Sequence, residues 1–260
     1  MNNITKSVAI IGGGPSGCAL ATLLQRKGFK VAVFYLDKRP EIIVGESLVP
    51  AIIPMLRLLG VEDEVKSYST YKPGASVWVS KDEEATSPFS YGGGNLPPYA
   101  YNVPRVKFDK TIFDNAVKSG VQFFNLAAKI EKTGNNDELK LSDETIAATN
   151  DYFNGQPGLI VDATGRSRTI SRLLDIPTKK GYRKDVALFA HLSGAEKIEP
   201  YNIHLHRLEK GWNWRIPLPD RTSVGVVINP DHLKKYGATK EEQYDNYLKS
   251  DETLKKFTSN

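Results

Sequence analysis

The stretch "SVAIIGGGPSG", residues 7–17, decides the fold of this 260-residue chain. Its first half is a short apolar run with β-branched residues, which is typical of a buried parallel strand. Its second half fits the pattern G-x-G-x-x-G between a strand and a helix. Gly12 permits the tight turn, Gly14 lets the backbone approach a pyrophosphate, and Gly17 lets the helix pack on the strand. The stretch therefore predicts a dinucleotide site, with a plain strand-to-helix turn as the alternative.

The residues that follow extend this stretch into a β-α-β unit. Residues 16–28 carry leucines at helical spacing, and residues 29–37 indicate a second buried strand. Pro15 and Ser16 begin the helix, where free backbone N–H groups face an anion. An acidic partner for a ribose is expected about 20 positions after the glycines, which selects Asp37. A count by usual helix and strand lengths selects Tyr35 instead, and a surface turn is the alternative role for Asp37.

Composition sets the class of protein. Hydrophobic residues make up 40% and charged residues 25%, which is ordinary for a globular chain. The net charge of +5 is spread over scattered Lys and Arg residues, so we expect solvated surface and no nucleic-acid partner. A single cysteine, Cys18, excludes an internal disulfide and fits a reducing compartment. We see no signal peptide and no membrane-spanning run, and we expect a cytoplasmic protein.

Periodicity and turn residues predict the remaining elements. Strands are expected at 74–80, 186–194 and 222–229, with strands of a hairpin region at 121–133 and 138–148. Residues 159–168 indicate a buried strand that runs into a glycine turn. Helices are expected at 50–68 with a break at Gly60, at 107–120 and at 239–257, with a loop at 88–104 and a turn at 149–158. Thr239 and Glu242 form a predicted capping box, and we expect Ile112, Phe113 and Val117 to lie on one face of their helix. Helices and strands alternate early and strands dominate later, which predicts an α/β fold threaded with a second, sheet-rich domain.

Two of the three tryptophans stand one residue apart in "GWNWRIPLPD", residues 211–220. Side chains on a strand alternate, so Trp212 and Trp214 should lie on one face. The alternation explains their spacing and leaves open why two large rings are needed there. Core packing or a sheet edge is the ordinary explanation.

Five motifs occur in the order seen in flavin-dependent halogenases, and the chain resembles this family. They are "GGGPSG" at 12–17, "VGESLVP" at 44–50, "VPRVKFD" at 103–109, "DATGRSR" at 162–168 and "GWNWRIPL" at 211–218. The family belongs to the FAD enzymes that resemble para-hydroxybenzoate hydroxylase. The motif W-x-W-x-I-P, filled here by Trp212, Trp214, Ile216 and Pro217, is the family's fingerprint.

The resemblance implies a flavoprotein oxidoreductase. Reduced FAD from a separate flavin reductase, O2 and a halide ion would give hypohalous acid, which halogenates an electron-rich small-molecule or carrier-bound substrate. A hydroxylase (monooxygenase) or a prenyl-type reductase on the same scaffold, or a flavin-binding protein without activity, is the alternative. The implied architecture is a Rossmann-like FAD-binding domain at 1–70 and 103–180, interleaved with a mostly antiparallel sheet domain at 71–102 and 181–238, and a C-terminal helix at 239–260.

The resemblance also implies roles for individual residues. Lys72 would guide hypohalous acid, and the four residues of W-x-W-x-I-P would separate flavin from substrate. The residues implied near the cofactor are Glu46, Ser47, Arg105, Asp162 and Gly165. The alternatives are a solvated surface lysine for Lys72, a surface arginine at a helix start for Arg105, and a helix cap for Glu46 and Ser47.

The histidines carry no implied role. We expect His191 to be a hydrogen-bonded sheet histidine rather than a base. His204 and His206 alternate on a strand, without a cysteine or carboxylate at ligand spacing, and we expect no metal site.

The family's third FAD segment, G-D-A-A-G-x-x-x-P, does not occur in the 260 residues. We therefore expect the chain to lack the C-terminal part of the family. A shortened chain, a truncated gene and a partner that supplies the remainder are the explanations. A second G-x-G-x-x-G is also missing, so no separate nicotinamide domain is expected.

Overall fold

The computed structural model describes residues 6–38, 40–80, 82–92, 94–134, 138–179, 181–195 and 197–251. The chain forms two compact units. The first unit is Met1–Ile42 with Val106–Lys179, and the second unit is Ile43–Arg105 with Lys180–Asn260. Residues 43–70 thus lie in the second unit, although the sequence interpretation grouped them with the cofactor domain. The functional division into an FAD domain and a sheet domain stays a prediction.

The elements follow one another in a mixed α/β order. The strands are β1 Ser7–Ile11, β2 Lys30–Tyr35, β3 Thr70–Lys72, β4 Gly74–Trp78, β5 Glu84–Pro88, β6 Ala100–Asn102, β7 Gln122–Asn125, β8 Ile130–Thr133, β9 Glu138–Leu141, β10 Leu159–Asp162, β11 Val186–Leu192, β12 Ile203–Leu208, β13 Gly211–Pro217 and β14 Thr222–Ile228. The α-helices are α1 Pro15–Arg26, α2 Ile53–Leu59, α3 Glu62–Ser67, α4 Arg105–Lys118, α5 Asp143–Ala148, α6 Thr169–Leu173, α7 Pro230–Leu233 and α8 Lys240–Ser250. Single turns of 3-10 helix occur at Pro50–Ile52, Phe89–Tyr91, Gly165–Ser167 and Lys234–Tyr236.

The first unit is built on a parallel sheet in the order β10-β1-β2-β7. The β1-α1-β2 crossover that the opening stretch predicts is confirmed. Ala9, Ala32 and Phe34 from the two central strands are fully or almost fully buried, and they pack against Leu141. The carboxyl ends of β1 and β10 therefore present their loops at the same edge of the sheet.

Two sequence predictions for the first unit are wrong. Residues 143–148 form helix α5 rather than a strand, because the Ser142 side chain caps the N–H of Thr145 and acidic residues fill the first turn. Strand β10 lies at the sheet edge, where Leu159 is 57% exposed, although a buried strand was expected. In α4, Val117 is exposed, and Phe108, Ile112 and Ala116 form the buried face.

The second unit contains a six-stranded sheet in the order β11-β14-β13-β12-β4-β5. All neighbouring pairs are antiparallel except β12 with β4, which confirms the predicted sheet type. Strands β3 and β6 form a separate two-stranded ribbon, and β6 lies within the predicted loop 88–104. The glycine break after α2 is confirmed by left-handed Gly60.

One face of the six-stranded sheet is covered by α8. Val224 and Val226 on β14 pack against Tyr244, Tyr247 and Leu248 of the helix. The predicted capping box of Thr239 and Glu242 is confirmed. Residues 252–257 of the predicted helix lie outside the described residues. In the described ranges, we find no helix with the length and apolar character needed to cross a membrane.

Candidate functional site

The glycine turn of the first unit needs glycine for two different reasons. Gly12 has φ +119°, and a Cβ atom there would lie 2.3 Å from the carbonyl oxygen of Ala163. A Cβ atom on Gly17 would lie 2.1 Å from the carbonyl oxygen of Gly12, so α1 could not approach β1. Gly14 differs, because it is extended and no heavy atom lies within 4 Å of its Cβ position. Two glycines close the turn, and the third leaves space beside it.

The start of α1 suits an anionic group in that space. Gly14 is the N-cap and Pro15 follows it, so no side chain caps the helix and the first turn holds no acidic residue. Backbone N–H groups at a helix start lack partners within the helix and carry a partial positive charge. The open space at Gly14 and these donors together fit the phosphates of a dinucleotide.

Of the two ribose candidates, Tyr35 is the one that contacts the turn. A Cβ atom on Gly13 would lie 2.7 Å from the Cβ atom of Tyr35, and the Tyr35 ring packs on Phe123. Asp37 is exposed just after β2, where its backbone N–H donates to the side-chain oxygen of Asn125. A ribose contact by Asp37 stays a prediction.

Asp162 organises the D-A-T-G turn after β10. Its carboxylate accepts the backbone N–H of Thr164 at 2.9 Å, the Thr164 hydroxyl at 2.6 Å and the backbone N–H of Ile170 at 2.8 Å. Burial by itself would raise the pKa of Asp162, but these hydrogen bonds outweigh it and hold the pKa below its ordinary value. Gly165, at φ +58°, then begins a single turn of 3-10 helix. Cofactor contacts of Asp162 and Gly165 stay predictions.

Lys72 is a buried lysine of the second unit. It is 2% exposed, and its ammonium group donates to the hydroxyl of Ser47 at 2.8 Å and to the carbonyl oxygen of Leu48. The Phe89 ring centroid lies 5.1 Å from Nζ. Burial lowers the pKa of Lys72 to about 8. The alternative of a solvated surface lysine is therefore wrong, and a catalytic role stays a prediction.

The loop that supplies these acceptors, residues 44–48, is the G-E-S loop. The Arg105 guanidinium donates to the carbonyl oxygens of Val44 and Gly45. Gly45 has φ +98°, and a Cβ atom on it would lie 2.7 Å from Nη1 of Arg105. Arg105 therefore lies against the loop itself, and its predicted contact with the cofactor stays untested.

A buried acid–histidine pair holds the same loop. The Glu46 carboxylate is almost fully buried, and its Oε1 atom lies 2.7 Å from Nε2 of His191 on β11. This hydrogen bond agrees with the predicted role of His191 as a satisfied sheet histidine. The two residues are 145 positions apart in the chain, so no local pattern relates them.

The tryptophan pair lies on one face of β13, as the alternation predicts. The ring centroids are 5.7 Å apart. Trp214 is buried with Ile216 in one apolar cluster, and its indole N–H donates to the hydroxyl of Ser223 at 3.3 Å. Trp212 is 37% exposed and lines a cavity of about 540 Å³ at the β12–β13 turn. Pro217 is also buried and ends the strand. Core packing thus accounts for Trp214 and not for Trp212.

His204 and His206 lie buried on β12. The imidazole of His206 stacks on Trp78, with ring centroids 5.5 Å apart. Burial, with Arg215 nearby, lowers the pKa of each histidine to about 4, so both are neutral at pH 7. Among the described residues, no group of three or more His, Cys, Asp or Glu side chains is arranged to hold a metal.

A glycine turn at the first parallel crossover and a mostly antiparallel second sheet define a mixed α/β protein of the class in which such a turn is typical of dinucleotide binding. The family model described as tryptophan halogenase matches residues 7–97 and 92–259, and the chain belongs to this family.

Curated relatives carry halogenase names. The chain is 31% identical over 246 residues to the flavin-dependent halogenase armH3 of Armillaria mellea, covering 89% of this chain and 48% of the relative. It is 26% identical over 292 residues to the 1H-pyrrole-2-carbonyl-[peptidyl-carrier protein] chlorinase of Pseudomonas fluorescens, covering 98% of this chain and 62% of the relative. The chain spans about half the length of the first of these relatives.

Solved structures share the fold. A flavoprotein/dehydrogenase from Cytophaga hutchinsonii superposes with a TM-score of 0.82 at 28% identity, over 97% of this chain and 62% of its own. The myxobacterial chondrochloren halogenase CndH superposes with a TM-score of 0.78 at 24% identity, over 96% and 59%. The second likeness bears on the fold alone.

Proposed function

We propose that this chain acts in FAD-dependent halogenation. Bound reduced FAD would supply the reaction with O2 that oxidises a halide ion to hypohalous acid, and this acid would halogenate an electron-rich organic substrate. The observation that carries the proposal is the position of Lys72, buried and held by the G-E-S loop in a chain of the tryptophan halogenase family. An amine in such a place can meet a small oxidant away from bulk water.

FAD is the proposed cofactor, and the glycine turn supports it. The residues proposed to hold its phosphates are Gly12, Gly14, Pro15, Ser16 and Gly17. Bound FAD would supply the redox chemistry with O2 that amino-acid side chains lack. Contacts with the cofactor are also part of the proposal for Asp37, Glu46, Ser47, Arg105, Asp162 and Gly165.

Lys72 is the proposed group that handles the oxidant. A pKa of about 8 leaves the side chain mainly as the ammonium form at pH 7, with a usable fraction of free amine. The ammonium form can donate a hydrogen bond to hypohalous acid. The free amine can attack the halogen atom, which forms an N–halogen bond and breaks the O–halogen bond. The amine proton and the hydroxide that leaves combine as water.

The tryptophan pair is proposed to separate flavin from substrate. Trp212 lines open space, and Trp214 supports it from the apolar core beneath. A wall of two rings would favour attack by halide over direct attack by substrate. We also propose a small-molecule or carrier-bound substrate, a separate flavin reductase and a cytoplasmic location. The Pseudomonas fluorescens relative, whose name states a carrier-protein substrate, supports this substrate class.

Binding and turnover of the purified chain test the proposal. A visible spectrum with added FAD reports binding, and product from phenol, bromide and reductase-supplied flavin reports halogenation. We expect Lys72→Ala to abolish brominated phenol while flavin oxidation continues. Lys66→Ala, an exposed lysine of the same unit, should leave product unchanged. A hydroxylated product independent of bromide would favour the hydroxylase. A chain that binds FAD and forms neither product would favour the flavin-binding alternative without activity, and a chain that binds no FAD would contradict the proposal.

A further inference from the structure

The Glu46–His191 pair of the second unit has no part in the halide chemistry proposed above. Glu46 is 2% exposed, and its carboxylate lies 2.7 Å from Nε2 of His191. A carboxylate only accepts hydrogen bonds, so the imidazole N–H donates. A buried carboxylate without a partner would be strongly destabilising. The carboxylate therefore ties residue 46 to strand β11.

The main chain at Glu46 is tied to a second element. Its carbonyl oxygen accepts the backbone N–H of Val103 at 2.7 Å, directly after β6. The N–H of Leu48 donates to the carbonyl oxygen of Tyr101 at 2.9 Å. Residue 46 is thus fixed through both its side chain and its backbone, and the chain that follows runs along β6.

The next two residues are the acceptors of the Lys72 ammonium group. Ser47 offers its hydroxyl and Leu48 its carbonyl oxygen. A lysine side chain has a flexible four-carbon stem, so the position of its ammonium group follows the groups that accept its protons. A shift of the loop at residue 46 would move both acceptors together.

We propose that Glu46 and His191 are positioning residues, which anchor the G-E-S loop to β11 and so fix the ammonium group of Lys72. Arg105 holds the other end of the same loop at Val44 and Gly45, so the basic side chains in contact with the loop include Arg105, Lys72 and His191. The meaning for catalysis rests on the proposed function. The positioning itself does not require it.

The test is the pKa of Lys72, measured by NMR titration of the lysine ε-amino groups and assigned with Lys72→Arg. The chain is used without cofactor or halide. The wild-type value should be near 8. Glu46→Ala removes the anchor without leaving an unpaired buried carboxylate, so we expect it to fold. Release of the loop should admit water, and the pKa should rise toward 10.5.

A pair of conservative variants separates positioning from bulk packing. The amide nitrogen of glutamine reaches the place of Nε2, whereas that of asparagine is one methylene shorter. His191→Gln should therefore keep the Lys72 pKa near 8, and His191→Asn should raise it as Glu46→Ala does. His204→Leu, which removes another buried histidine of the same sheet, should leave it unchanged. A Lys72 pKa near 8 in folded Glu46→Ala and His191→Asn would overturn the proposal.

Turnover distinguishes this inference from the proposed function. Where the wild-type chain halogenates phenol, product per oxidised flavin should fall at least about tenfold in His191→Asn and recover in His191→Gln, in line with losses from misplaced catalytic groups. Where the wild-type chain gives no halogenated product, the proposed function fails. The expected shifts in the Lys72 pKa would still support the positioning role.

Discussion

The indole ring of Trp214 occupies the space in which a side chain of Gly225 would lie. A Cβ atom on Gly225, directly opposite on β14, would be 2.2 Å from Cζ2 of Trp214. One strand thus supplies the ring and its neighbour supplies the gap. This pairing accounts for the position of Trp214, and it is independent of any role beside a flavin.

Gly225→Ala should therefore destabilise the second unit. Overpacking in a well-filled core costs about 1–3 kcal/mol, and we expect a loss in this range, measured by urea unfolding. Trp214→Leu alone should also cost stability, because it removes buried ring area. When Gly225→Ala is added to Trp214→Leu, it should lower the free energy of unfolding much less than it does in the wild type, because the indole ring that it would meet is absent. Equal costs in both backgrounds would contradict the fit between ring and glycine.

Gly14→Ala should separate cofactor binding from folding. Its backbone is extended and its Cβ position is open, so the added methyl group should change the melting temperature little. The same methyl group would occupy the space proposed for a phosphate. We expect the dissociation constant for FAD, measured by fluorescence titration, to rise at least about tenfold, which corresponds to roughly 1.4 kcal/mol.

Two other glycines serve as controls for that result. Gly181→Ala, also at an open position, should leave both the melting temperature and the dissociation constant for FAD unchanged. Gly17→Ala should lower the melting temperature, because its methyl group would meet the carbonyl oxygen of Gly12. Unaltered FAD affinity in Gly14→Ala would place the phosphates elsewhere.

Local sequence patterns predict a secondary-structure element correctly where the element is long or its apolar residues have a distinct period. Residues 7–37 predict the β1-α1-β2 crossover, because the apolar run, the glycines and the helical leucines agree with one another. The alternation of Trp212 and Trp214 predicts their shared face. Short elements were predicted less well. Helix α5 was missed, although Ser142 followed by Asp143 and Glu144 is a helix-start signal that could have identified it.

The features that depend on distant pairing could not be predicted. Burial of Lys72 depends on acceptors in the G-E-S loop and on Phe89, none of which a local period relates to it. The Glu46–His191 pair joins residues 145 positions apart. Only the fold brings such groups together. A motif can suggest that a lysine is functional without showing what holds it.

Lys72 should make the free energy of unfolding depend on pH in the alkaline range. Its pKa falls from 10.5 in the unfolded chain to about 8 in the fold, so between these values the unfolded chain binds more protons. Stability from this group therefore rises with pH across that window. Below pH 8 the buried ammonium group costs about 3 kcal/mol, the equivalent of the pKa difference.

Lys72→Met keeps the apolar stem and removes the charge, so it should abolish this dependence. We expect the free energy of unfolding of the wild type relative to Lys72→Met to increase by up to about 3 kcal/mol between pH 7.5 and 10.5. Urea unfolding at several pH values measures the difference. Lys66→Met, at an exposed position, should show no such trend. A constant difference between wild type and Lys72→Met would show that the lysine is solvated.

His206 should make the free energy of unfolding depend on pH in the acidic range. Burial, with Arg215 nearby, lowers its pKa from 6.5 to about 4, so the unfolded chain binds more protons between these values. Stability should therefore fall as the pH drops from 6.5 to 4. His206→Phe keeps a ring on Trp78 without a titrating group. Between pH 6.5 and 4, the free energy of unfolding of this variant should fall by less than that of the wild type, with a difference of up to about 3 kcal/mol. His232→Phe, in α7 outside the sheet, is the control and should follow the wild type. Identical acid unfolding of wild type and His206→Phe would show that His206 titrates as it does in the unfolded chain.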